Sequence, residues 1–129
     1  MATASIMPPM LRLKRSAQSG SKAMAADWTV IYAESSVMAY IFAGAMIDLS
    51  TMAAGDIIDI RVRKQLSSGG ALVNHHAMNY VGAMPVGHVT VHIAPIPDVY
   101  GLSIDMRQVL GTLRTLPCEF FDAHRLGLA

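Results

Sequence analysis

Apolar and polar positions alternate with a period of two over most of the chain after residue 26, and the clearest instance is Ile57 to Lys64. There Ile58, Ile60 and Val62 leave one side of the backbone while Asp59, Arg61 and Arg63 leave the other, the pattern of a half-buried antiparallel strand. Trp28, Val30 and Tyr32 against Thr29, Ile31 and Ala33 predict a first strand ending near Glu34. Val37 to Leu49 is a mostly apolar strand interrupted at Gly44. His88 to Ile93 places Val89, Val91 and Ile93 inward, and Leu102, Ile104 and Met106 alternate with Ser103, Asp105 and Arg107. Leu116, Cys118 and Phe120 line one face of a last strand. Ala71 to Val81 is less regular and reads as a strand ending at Gly82. Ser67-Ser68-Gly69-Gly70, Ala83–Gly87, Pro95 with Pro97, and Gly111-Thr112 supply the breaks. Short strands at this spacing, with no long helical period, predict an all-β fold. The expected architecture is an antiparallel β-sandwich of jelly-roll type with seven or eight strands.

Residues 1–26 differ from the rest. Pro8-Pro9 forbids helix, and Ser16 to Ser21 has linker composition. The division predicted is an extended basic arm over 1–26 and a sandwich domain over 27–129. At about 3.3–3.6 Å per residue a fully extended arm reaches roughly 85–90 Å, enough to cross a neighbouring subunit; the plain alternative is a terminus without a role. Charge supports the division. Arg12, Lys14, Arg15 and Lys22 face no acid within 1–26, giving +4, whereas six Lys/Arg against nine Asp/Glu give −3 beyond it. A basic arm on a mildly acidic body suits docking to something anionic. The whole chain, at net +1, is not basic enough for a nucleic-acid binder.

The 129 residues suit one domain. Charged residues make up only 15%, against about 25% in ordinary soluble domains, so part of the surface is expected to lie under partners; a Met- and Ala-rich monomer is the bland alternative. The longest apolar run, Val37 to Ile47, falls well short of the ~20 residues of a membrane span. No signal peptide is expected, since the basic cluster follows the apolar start.

Candidate chemistry is thin. His75 and His76 are adjacent and on a regular strand face opposite sides. His88 and His92 share a face but lie roughly 13 Å apart at ~3.3 Å per residue, too far for one zinc ion. Asp56 and Asp59, three residues apart, also diverge. Cys118 is the sole cysteine and sits in an apolar stripe, with no GxSxG elbow or phosphate-binding glycine loop elsewhere. No catalytic, cofactor or metal residue is assigned. Asp59, Arg61 and Arg63 form a polar sheet face that is either solvated or mated to a partner.

The strings DLSTMAAGDIIDIRVRK, SSGG, NYVGA, HVTVHIAPIP and YGLSIDMRQVLGTLRTLPCEFFD together resemble jelly-roll cement (decoration) proteins of tailed-phage capsids. The resemblance covers residues 47–121 within the last three-quarters of the chain, rests on strands and turns, and leaves out residues 1–26. It implies a structural protein without enzymatic activity on the capsid exterior of a virion, often trimeric. Its partners would be the major capsid protein and copies of itself as a homotrimer, with no cofactor, no nucleic acid and no membrane. The resemblance transfers no binding residue position by position; the capsid or subunit contacts expected from charge and strand spacing are Arg12, Lys14, Arg15 and Lys22 with Asp59, Arg61 and Arg63. The competing readings are a carbohydrate- or receptor-binding jelly-roll module, which needs an aromatic platform, and a metal-dependent cupin-type enzyme.

Overall fold

The structure, a computed structural model, describes residues 10–35, 40–98 and 100–126. They form ten strands and, among themselves, no helix. In chain order these are β1 (Met10–Arg15), β2 (Gly20–Ala23), β3 (Thr29–Glu34), β4 (Tyr40–Asp48), β5 (Ile57–Gln65), β6 (Leu72–Val81), β7 (Thr90–Ile93), β8 (Ile96–Asp98), β9 (Leu102–Leu110) and β10 (Thr115–Leu126).

Two antiparallel sheets result. The first has the order β1-β10-β4-β7, with β2 continuing β1 along β10 and β8 continuing β7 along β4. The second has the order β3-β9-β5-β6. Ten segments thus fill eight strand positions. The chain crosses between sheets at every connection except β1–β2, β5–β6 and β7–β8. Eight positions wound in this order make an antiparallel β-sandwich of jelly-roll type.

The core lies between the sheets and follows the alternation closely. Ile58, Ile60 and Val62 on β5, Ile104 and Met106 on β9, and Leu116, Cys118 and Phe120 on β10 are essentially sealed from solvent. Tyr32 stands between Phe42 and Phe120 with ring centroids 5.0 and 5.1 Å apart, and its hydroxyl donates to Asp122 Oδ1 at 2.7 Å. The phenol therefore contributes apolar area to the core without leaving a polar atom unsatisfied. Pro95 and Pro97 fall where the ladder tolerates them, before and within the short edge strand β8.

Three expectations change. The stretch 10–26 is not detached in the structure: β1 and β2 pair with β10 from Met10↔Leu126 to Thr115↔Ala23, supplying the first strand position of the jelly roll. The linker-like serines between them mend the ladder. Ser19 Oγ accepts from Phe120 N at 2.9 Å and donates to Phe120 O at 3.2 Å, while Ser16 N donates to the same carbonyl at 2.8 Å. Second, the alternation predicted for β3 fails at a bulge between Val30 and Tyr32. Ile31 and Tyr32 are both buried, and Val30 is turned out to 54% exposure. Third, the bulge between Val62 and Arg63 makes His75 the extra residue of β6, so His75 and His76 do not diverge as they would on a regular strand. Residues 37–39 of the expected Val37–Leu49 strand lie outside the described residues; Gly44 does not interrupt the remainder.

A polar knot ties the ends of β5, β6, β9 and β10 together. Asp56, 1% exposed, accepts from Ala53 N at 2.9 Å and from Arg114 Nε at 2.7 Å, and its carbonyl accepts from Gly82 N at 2.8 Å. Buried Gln108 donates to Leu110 O and Thr112 O and accepts from Arg114 N. Gly111 sits at φ +91°, and a Cβ there would lie 2.8 Å from Asp56 Cα while meeting its carboxylate. Only glycine fits.

Phe120→Ala should cost about 3–5 kcal/mol by removing a fully buried ring packed on Tyr32, read as a fall in the denaturant midpoint. The Arg114 hydrogen bond holds the Asp56 carboxyl below the usual carboxylate range, helped by the Ala53 amide. A depressed folded-state value contributes stability that is complete above the ordinary value of about 3.9 and is lost as pH falls through the folded one. Asp56→Asn should accordingly flatten the acid limb of a plot of thermal midpoint against pH; an unchanged limb would count against this role.

Candidate functional site

The outer face of the β3-β9-β5-β6 sheet carries its polar residues in rows set by strand register. One row is Asn79–Asp59–Arg107; the next is Ala77–Arg61–Asp105–Val30; Arg63 lies beside Asn74 and Ser103 in the third. Above them Val81, Ile57 and Leu110 form an apolar row, with Val81 and Leu110 about three-fifths exposed.

Asp105 organises this face. Its carboxylate is 1% exposed, and Oδ1 accepts from Ser103 Oγ at 2.6 Å. Oδ2 accepts from Arg61 Nε at 2.7 Å and lies 2.8 Å from Arg63 Nε. The Arg63 N–H is not aimed at that oxygen and makes no hydrogen bond, so this second contact is one of charge. Asp59 performs the same service one row away, accepting from Arg107 Nε at 3.0 Å and from Asn79 Nδ2 at 2.5 Å.

Trp28, just before β3, fills the space between two of these guanidinium groups. Arg61 Cζ lies 4.1 Å and Arg107 Cζ 4.4 Å from the ring centroid, within the range of cation–π attraction. Both arginines engage their carboxylates through Nε, which leaves the Nη atoms without a partner among the described residues. A recess of about 320 Å³ opens beside them, walled by Trp28, Asp59, Asn74, Asn79 and Arg107. Its chemistry is that of a preset anchor: an immobilised indole, guanidinium forks with spare donors, and amide groups.

The seven contact residues expected from sequence do not form one patch. Asp59, Arg61 and Arg63 meet on this face. Lys14, Arg15 and Lys22 belong to β1 and β2 of the other sheet, where Arg15 donates to Glu119 at 2.6 and 3.1 Å. That bond draws the Glu119 carboxyl below its usual range and raises Arg15, but the pair is exposed and contributes little to stability. Arg12 pairs its backbone with His124; its side chain lies outside the described residues. Trp28, Asp105 and Arg107 were not singled out from sequence. Asp105 and Arg107 do alternate with core residues on β9, but only the register shows that Asp105 sits beside Arg61 and Arg107 beside Asp59.

The remaining chemistry sorts simply. Burial pushes the Cys118 thiol up to about 11, so little thiolate exists near neutrality. His75, His76 and His92 line a second recess of about 300 Å³ between the β6 and β7 edges. Among the described residues, however, no three His, Cys, Asp or Glu are placed to hold a metal ion.

No protein-family model matches this chain, and no curated protein matches it. Among solved structures it is similar to the infectious bursal disease virus VP2 subviral particle. The likeness has 10% sequence identity and a TM-score of 0.49, and covers 89% of this chain but only 32% of that one. At that distance it carries no weight for function.

Asp105→Ala should cost about 3–5 kcal/mol, because it leaves two partly buried guanidinium groups without their anion. Trp28 emission should shift as Arg61 is released; unchanged stability and emission would remove Asp105 from its organising role.

Proposed function

We propose that this protein is a structural component of a virion. In this reading it is a cement or decoration protein, without enzymatic activity, that binds the major capsid protein on the outer surface of a tailed-phage head as a homotrimer and stabilises the head. The observation that carries the reading is the anchored Trp28 between Arg61 and Arg107, bordered by the apolar row Val81–Ile57–Leu110. Tryptophan and arginine, held rigid before contact, are the residue types that dominate protein–protein binding energy. Three arginines against two carboxylates also leave this face net positive, suited to an acidic shell surface. The resemblance of residues 47–121 to cement proteins agrees, and the low charged fraction fits a molecule partly covered by neighbours. Lys14 and Lys22, on the opposite sheet, then serve a secondary contact, for instance between trimer subunits.

A ligand-binding module is the second reading, favoured by the recess itself. An aromatic wall beside Asn74, Asn79 and Asp59 is the composition that holds a sugar ring, with the indole against its apolar face and amides on its hydroxyls.

Co-sedimentation with emptied phage heads separates the two. Trp28→Ala with Arg61→Ala should weaken shell binding at least about tenfold if this face supplies one hot spot of about 1.4 kcal/mol or more. Lys14→Glu should act only modestly. Saturable binding of a glycan to the isolated protein, lost in Trp28→Ala, with no shell binding, would replace the first reading by the second.

A further inference from the structure

Every sheet edge presents unpaired backbone donors and acceptors, and soluble proteins normally blunt them. Three of the four edges here are blunted. The β1–β2 edge bears Arg12, Lys14, Arg15 and Lys22 in sequence. The β7–β8 edge is divided into strands of four and three residues with prolines at 95 and 97. The β3 edge is occupied by a side chain: Gln18 Nε2 donates to Ala33 O at 2.8 Å, and Ala33 N donates to Gln18 Oε1 at 2.9 Å, so the Gln18 amide takes the place of a pairing strand.

The fourth edge, β6, has no such guard along most of its length. It is ten residues long, LVNHHAMNYV, with no proline and no Lys, Arg, Asp or Glu. Val73 and Val81 are exposed. Only the bulge at His75 interrupts it, which leaves an unbroken run from His76 to Val81. The Trp28 recess and the histidine-lined recess flank this strand, and Met78 borders both. A strand added beside β6 would send alternate side chains towards each recess.

We infer that β6 is a strand-addition edge whose occupant is β6 of a second copy, paired antiparallel so that the two β3-β9-β5-β6 sheets become one continuous sheet. The self-pairing follows from charge. Like charges placed across a ladder repel, so the charged β1–β2 edge resists its own copy, whereas uncharged β6 does not. The register is also constrained. Residues facing the core must oppose residues facing the core, so paired numbers sum to an even value. With the bulge closing one end and Gly82 the other, the two-fold axis falls on Met78 or Asn79. This inference rests on the edges alone, and because its axis is two-fold it competes with the homotrimer of the virion reading: a dimer in solution would remove the trimer from that reading and leave shell binding to its own test.

The test uses the full chain. In a Cys118→Ser background, cysteine placed singly at 77, 78 and 79 should give an interchain disulfide at one of the two axial positions and not at 77. Sedimentation of the natural sequence should show, at raised concentration, twice the mass of Ala77→Lys, whose exposed ammonium guards the edge and should weaken association about tenfold. Equal masses for the natural chain and Ala77→Lys would overturn the inference. So would cross-linking at 77 in preference to 78 and 79. Retained circular dichroism and thermal midpoint in Ala77→Lys would show that a change in mass reflects the edge and not the fold.

Discussion

A carboxylate buried in a sheet face must be neutralised where it sits, and Asp105 imposes that requirement on everything around it. Two arginines of the neighbouring strand lie close to it because a lone buried anion would be too costly. Arg61 in turn forms one side of the slot for Trp28, and Asp59 holds Arg107 on the other. The indole is fixed by ionic groups that are themselves fixed by backbone register. Arginine at such a surface would ordinarily lose rotamer freedom on meeting a partner; here much of that loss is taken at folding. The face is therefore a product of strand pairing as much as of side-chain identity.

How far this could be read from the chain depends on which physical signal each part leaves. Burial leaves a period of two, and β5, β9 and β10 were legible because their inward residues are uninterrupted runs of Ile, Val, Leu, Met, Cys and Phe. Sandwich architecture followed from the spacing of those runs. Bulges leave no comparable mark: at Ile31 and His75 one extra residue flips the facing of the rest of the strand, and only the partner strand shows it. The first strand was hidden for a different reason. Its serines and glycine have linker composition, yet Ser16 and Ser19 use their polar groups to complete the ladder on Phe120.

The candidate site was half legible. Asp59, Arg61 and Arg63 stand on one strand, so alternation sufficed to place them together. Trp28, just before β3, and Asp105, on β9, come from segments far off in sequence, and no local pattern can announce a cross-strand pair. The same limit hides which sheet receives the basic residues of positions 10–26. Net charge is additive along a chain, but faces are not, and the sandwich sends the two groups to different sheets.

The placement of β10 also bears on how the molecule is made. It lies between β1 and β4, so among the described residues the first sheet holds its two halves together only through β10. Until that segment has emerged, β1 and β2 have no ladder to join and Tyr32 lacks its neighbour Phe120. Closing β1 against β10 is a contact of long sequence separation, which slows folding. During translation the second sheet, complete once β9 is out, is the part free to form first. The pairing of β1 and β2 must wait for β10.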